Sequence, residues 1–401
     1  MSRTASTERL TWARVVGAFL AVAVVLTGVV AIAGRWRRVP DVNAALQGPG
    51  WLDGWFHFDS GWYLQIATQG YSYTPGQQSS IAFFPVYPLT MRGLGTVLGD
   101  QQLAGWLVTL LAGLGVAVLF AAWVRDRLPR RSAVLAVVVL LVYPYAFFLY
   151  GAVYADALFV LCSLGAFLLL EKRWYLAAGL VGALATAGRP VGIAVAVGLV
   201  VRSLELLAAD RAAISAPVGR LPLRDVVSSV RDVRLRHVGV LVSLVGIGAW
   251  CFYLWRRFGD PLAFVHVESA PGWDQGVGPH TWFKLSYLEI VRQDPFFSRG
   301  RLQTVQALTC LVAVLLMRRV WRRFGWGYAA YAAIAIAIPI IGTKDFMGTG
   351  RYVLVAFPIL AAGGDFLAST ERRWVRPVAL AVSAALLLVL TTLYARGMEV
   401  S

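Results

Sequence analysis

Runs of about 18 to 20 apolar residues recur from residue 12 to residue 394, and no other feature constrains the fold as tightly. A helix rises 1.5 Å per residue, so each run is long enough to cross a hydrocarbon core of about 30 Å. With 58% of its 401 residues hydrophobic and a mean hydropathy of +0.66, the chain carries more apolar surface than a water-soluble domain can cover. Alternating segments of about ten residues, the mark of a transmembrane barrel, are missing from the sequence. The pattern predicts an all-α, polytopic membrane helix bundle.

The expected spans are 12–34, 103–124, 132–150, 155–170, a pair within 174–201, 238–255, 302–317, 326–342, 352–368 and 378–394, about eleven crossings. The first follows Arg3, Arg9 and Arg14. Although Ala31-Ile32-Ala33 resembles a cleavage site, the apolar core is longer than a signal peptide needs, so an uncleaved anchor is expected. Residues 174–201 are too few for two full crossings. Half-length helices meeting at Gly188-Arg189-Pro190 fit instead, and such a break is tolerated where it lines a cavity.

Charge sets the expected orientation. Most of the 37 Lys and Arg residues fall in 1–14, 125–131, 171–173, 202–237, 318–323 and 371–376, which the positive-inside rule assigns to the cytoplasm. The outer loops are then 35–102 and 256–301, the large cytoplasmic loop is 202–237, and 1–401 forms a single membrane domain. The segment "IAFFPVYPLTMRGLGTVLG" (81–99) decides the side of the first loop. Pro85, Pro88 and Arg92 argue for a juxtamembrane or re-entrant element, although Arg35-Trp36-Arg37-Arg38 favours the opposite orientation.

The net charge of +16 does not point to nucleic acid, because the arginines lie in short segments between apolar runs rather than on a soluble basic face. Cys162, Cys251 and Cys310 all lie in apolar runs, with neither a disulfide framework nor metal-ligand spacing. His57, His266 and His280 are spaced in no metal-binding pattern, and no metal or other cofactor is expected.

The unusual polar residues gather at the outer ends of the spans: Asp59, Asp156, Arg189, Asp260, His266, Lys344, Asp345 and Arg351. Asp59 sits within "WFHFDSGWYLQIATQGY" (55–71), among six aromatic residues and His57. It reads equally well as the cap of a following helix or as a catalytic acid or base. In "ATAGRPVGI", Pro190 is suited to open a helix with Arg189 just before it, an arrangement that attracts phosphate. In "TKDFMGTGRYVLVAFP", Lys344 and Arg351 flank a glycine-containing loop leading into a helix. These cations serve either a phosphate ligand or lipid headgroups and local acids. "YPYAFFLYGAVYADALF" turns a helix pair with Tyr154 and Asp156 at the tip.

In this order, "FDSGWYLQIATQGY", "FFPVYPL", "YADALF", "GRPVGI" and "GRYVLVAFP" resemble the PIG-V family (GPI mannosyltransferase II and its bacterial relatives), a GT-C class of membrane glycosyltransferases. The resemblance implies a GT-C fold and a polyprenyl- or dolichyl-phosphate mannose donor. It also implies a lipid or glycolipid acceptor, surrounding membrane lipids, and a site on the extracytoplasmic face of the plasma membrane. It makes Asp59 the general base of an inverting transfer, with Arg189, Arg351 and Lys344 neutralising the leaving phosphate. Trp55, Trp62 and Tyr63 become sugar-facing walls, and His57, Tyr154 and Asp156 complete the substrate-binding set. One departure stands out: the family's acidic loop more often reads Tyr-Ser-Glu, against Tyr154-Ala155-Asp156 here. Alternatives are a GT-C enzyme with another lipid-linked sugar or a protein acceptor, and a lipid or solute transporter. Charges at one face and the lack of an internal repeat count against transport.

Overall fold

In a computed structural model the described residues, 11–36, 49–212, 221–276, 278–293 and 298–400, form helices joined by turns and loops, with no strand among them. Arg3, Arg9, Arg37 and Arg38, used above for orientation, lie outside them. The main helices are α1 (Trp12–Ala33), α2 (Asp59–Gln69), α3 (Val86–Leu98), α4 (Gln101–Arg125), α5 (Arg130–Leu141), α6 (Asp156–Glu171) and α7 (Tyr175–Thr186). They are followed by α8 (Ile193–Arg211), α9 (Val245–Phe258), α10 (Ser298–Phe324), α11 (Trp326–Gly342), α12 (Thr349–Val355), α13 (Phe357–Ser369) and α14 (Val375–Ala395).

Six of the described helical segments are long and apolar enough to cross a membrane: Trp12–Trp36, Gln101–Arg125, Pro190–Arg211, Leu235–Phe258, Gly300–Phe324 and Val375–Ala395. The multi-pass reading holds, but several of the expected eleven runs are broken or short. Run 132–150 stops at Leu141 because Pro144 cannot continue the helix and pushes its predecessor towards extended backbone. Run 352–368 bends by 83° between α12 and α13 at Ala356, with Pro358 in the first turn of the second helix. The break at 187–189 occurs where expected. Only the first partner is short, since α7 has 12 residues while the second helix runs on from Pro190 to Arg211.

That extension revises the expected cytoplasmic loop at 202–237, whose first ten residues are helical. Arg202 is buried rather than solvated. Its guanidinium bonds Glu171 (2.8 Å) and Glu205 (2.8 Å), and Glu171 also takes Arg127 (3.1 Å) and the Tyr328 hydroxyl (2.9 Å). Each charge answers another, as burial in the membrane requires.

Close approach of α7 to the segment 239–258 depends on small residues. A Cβ on Gly179 would strike the Gly239 carbonyl, and one on Gly246 the Ala183 carbonyl. Helix α3, at 13 residues, is too short to span about 30 Å, and Arg92 caps α2 by donating to the carbonyls of Ala67 (2.6 Å) and Ile66 (2.7 Å). α2 and α3 therefore lie together at the end of the bundle where α6 and the Pro190 helix begin.

Candidate active site

Residues 55–60 form a turn pinned from several sides. The Tyr394 hydroxyl donates to the Trp55 carbonyl (3.2 Å), His57 Nε2 contacts the Ala395 carbonyl (3.2 Å), and Ser60 Oγ donates to the Val153 carbonyl (3.1 Å). The Tyr154 hydroxyl bridges the turn, accepting from the Asp59 amide (3.2 Å) and donating to the His57 carbonyl (3.4 Å). Between them Phe58 takes φ +54°, a conformation that costs a non-glycine residue about 1–3 kcal/mol and persists only where its surroundings enforce it.

The strained turn delivers Asp59 as the first residue of α2, and its carboxylate does not cap the helix. Phe58 occupies the cap position without a side-chain bond. Instead Asp59 Oδ2 lies 3.0 Å from Arg351 Nη1. Arg351 Nε lies 4.0 Å from Asp156 Oδ1, and Asp156 in turn pairs with Arg189 Nη1. The result is an alternating row, Asp59–Arg351–Asp156–Arg189, drawn from four chain segments. Asp156 is 1% exposed and opens α6, Arg189 immediately precedes the Pro190 helix, and Arg351 lies in the first turn of α12.

Aromatic faces confine both guanidiniums: Arg189 lies 4.7 Å from the Tyr352 ring, and Arg351 lies 5.0 Å from Tyr154 and 5.5 Å from Phe148. Arg351 Nε is buried and finds no hydrogen-bond partner among the described residues. A buried, unsatisfied guanidinium donor beside a carboxylate can receive an anionic oxygen.

The expected walls divide. Trp62 is half-buried and stacks on Phe83 (5.8 Å), with Trp273 of the second loop edge-on at 5.9 Å, so the aromatic surface extends to residues the sequence reading did not name. Tyr63 is buried against Phe83, Tyr87 and Tyr154, and burial holds its phenol well above the usual range, as it does for Tyr154. Trp55 has no exposed surface and packs over Gly151 in the core, so it supports the turn rather than lining a pocket. His57 is likewise buried, its ring edge-on to Tyr394 at 5.5 Å.

Lys344 does not join the row. Its ammonium pairs with Asp274 (3.0 Å) and its amide donates to Gln275 Oε1 (2.8 Å), so it fastens the loop at 343–348 to the second outer loop. Asp260 pairs with His266 (2.6 Å), and Asp345 accepts from Gln303 Nε2 (2.9 Å) and the Met347 amide (2.9 Å). Among the described residues, no group of three His, Cys, Asp or Glu side chains is placed to hold a metal ion.

Glu268, also absent from the sequence reading, follows the short helix Ala263–His266 in the second loop. Burial, and then the neighbouring Asp59 charge, push its carboxyl up to about 7.

Neither a protein-family model nor a curated protein sequence matches the chain, so the resemblance to the PIG-V family rests on the quoted stretches alone. Among solved structures the chain is similar to ArnT from Cupriavidus metallidurans bound to undecaprenyl phosphate, with 19% identity and a TM-score of 0.50 over 93% of this chain and 64% of that one. It is also similar to the oligosaccharyltransferase AglB from Archaeoglobus fulgidus in complex with an inhibitory peptide and a dolichol-phosphate, with 15% identity and a TM-score of 0.42 over 95% of this chain and 56% of that one. The chain spans less than two thirds of the length of either. At such identity the likeness to ArnT speaks for architecture alone, an all-helical membrane bundle of the same fold.

Proposed function

We propose that this chain is an inverting glycosyltransferase that moves mannose from polyprenyl-phosphate mannose to a lipid or glycolipid acceptor at the extracytoplasmic face of the plasma membrane. The observation that carries the proposal is the row Asp59–Arg351–Asp156–Arg189, which sets the partly exposed Asp59 carboxylate beside Arg351 and joins it through Asp156 to Arg189. Undecaprenyl phosphate in the ArnT neighbour is the kind of lipid carrier this chemistry calls for.

In the reaction, Asp59 accepts the proton of the acceptor hydroxyl as its oxygen attacks the anomeric carbon. The bond from that carbon to the donor phosphate oxygen breaks, and its electron pair stays with the phosphate. Arg351 and Arg189 neutralise the charge that accumulates there, in a setting where fixed charges act more strongly than in water. Arg351 thus serves both ends of the displacement. It pairs with Asp59 in the resting site and turns towards the phosphate as the donor binds. Trp62, Phe83 and Trp273 offer the apolar sugar face a stacking surface.

The test is transfer of radiolabelled mannose from polyprenyl-phosphate mannose by the full chain in nanodiscs, with membrane extract supplying acceptors. Wild type should form a labelled lipid or glycolipid, and Asp59→Asn, folded by thermal unfolding, should not. Transfer of another sugar in place of mannose would overturn the donor assignment. Substantial turnover by the variant would overturn the role of Asp59.

A further inference from the structure

A groove of about 1550 Å³ runs along the side of the bundle between α10, α13, α14 and α5. Its long walls are apolar, formed by Leu308 and Leu315 of α10, Ile359 and Leu360 of α13, and Leu380 of α14. Arg318, Arg319, Arg322 and Arg323 close one end. The Gly350 amide donates to Gln306 Oε1 (3.4 Å), which sets residue 306 level with the candidate active site. At 1.5 Å per residue, Arg319 lies about 20 Å further along α10, towards the opposite membrane face.

The charge at that end is unbalanced. Arg319 and Arg323 both bond Asp365 (2.7 and 2.9 Å), a buried carboxylate also held by Ser132 Oγ (2.9 Å). Arg318 and Arg322 are exposed and make no ion pair among the described residues. The α13–α14 turn and the start of α14 add Arg372, Arg373 and Arg376 against Glu371. Trp321 lines the same end, and its buried indole N–H finds no acceptor among the described residues. Hydrocarbon walls that end in surplus guanidiniums and an unsatisfied N–H are complementary to acyl chains below an anionic headgroup.

We propose that this groove binds an acidic glycerophospholipid from the leaflet opposite the Asp59 site. Its chains lie along α10 and α13, and its phosphate lies among Arg318, Arg322 and Trp321. The polyprenyl donor is a poor occupant, because its phosphate has to meet Arg351 at the other end of the bundle.

Native mass spectrometry of the full chain in detergent, titrated with phosphatidylglycerol or phosphatidylcholine, tests the assignment. Wild type should retain phosphatidylglycerol preferentially. Arg318→Gln/Arg322→Gln should weaken that binding about fivefold per arginine, about 25-fold in all, with unchanged lipid-free unfolding because neither side chain has an internal ion pair to lose. Trp321→Phe should weaken it by a smaller factor. Equal retention of the two lipids, undiminished phosphatidylglycerol binding by the double variant, or displacement of phosphatidylglycerol by polyprenyl phosphate would each overturn the proposal.

Discussion

Arg351 Nη1 stands 3.0 Å from Asp59 Oδ2, joining residues 292 positions apart in the chain. The same guanidinium faces Asp156 at 4.0 Å, so its planar fork addresses two carboxylates and still leaves Nε unsatisfied. A lysine carries the charge without the fork. Arg351→Lys should therefore fold and insert, yet lose on the order of 10²–10³ in kcat for mannose transfer, the scale expected for one preorganised charge-stabilising group. Turnover at saturating donor is the measurement, and wild-type kcat in the lysine variant would remove the bidentate role.

Asp156 and Arg189 form a buried pair, with side chains 1% and 8% exposed. Removing one partner strands the other, which costs about 3–5 kcal/mol in buried pairs. Asp156→Ala should lower the unfolding temperature sharply. Asp156→Ala/Arg189→Met should recover most of that loss but remain inactive, since the phosphate has lost a cation. A double variant as unstable as the single one would show that pairing is not what Asp156 contributes, and an active double variant would free Arg189 from the reaction.

Helix limits were legible where no backbone break interrupts an apolar run. The run at 326–342 coincides with Trp326–Gly342, which is shorter than the six span-length segments, and 378–394 falls within the span-length helix Val375–Ala395. It overstated continuity at Pro144 and Ala356, where local backbone limits override an apolar pattern. Asp59, Asp156, Arg189 and Arg351 were legible because a charge at the end of an apolar run needs a reason. Their order in the row was not legible, since it depends on which helix ends meet. The burial of Trp55 was not legible, because an aromatic residue near an interface reads alike whether it lines a site or supports one. Glu268 and Trp273 lay hidden in a polar loop, and nothing in the sequence sets Tyr394, at the end of an apolar run, apart from an interfacial aromatic.

Lys344 makes the contrast measurable. Its partner Asp274 is exposed, and an exposed, solvent-screened ion pair contributes little. Lys344→Met should change kcat/KM less than about tenfold, far short of the Arg351→Lys loss. A loss as large as that of Arg351→Lys would place Lys344 at the phosphate after all.

Glu268 gives the site a pH dependence of defined sign. Its carboxyl titrates at about 7 instead of its ordinary 4.5, through burial and the Asp59 charge. Below about 7 it is neutral, and above it a second negative charge stands near Asp59 and opposes an anionic donor. KM for polyprenyl-phosphate mannose should rise as pH passes upward through about 7, while Glu268→Gln should hold a low, nearly flat KM across about pH 5 to 9. Stability follows the same proton. Between 4.5 and about 7 the unfolded chain has released it and the folded chain retains it, so stability falls as pH rises through that window and levels off above it. The glutamine variant should lack this descent in unfolding temperature. A variant that keeps both the KM rise and the descent would assign the titration to another group.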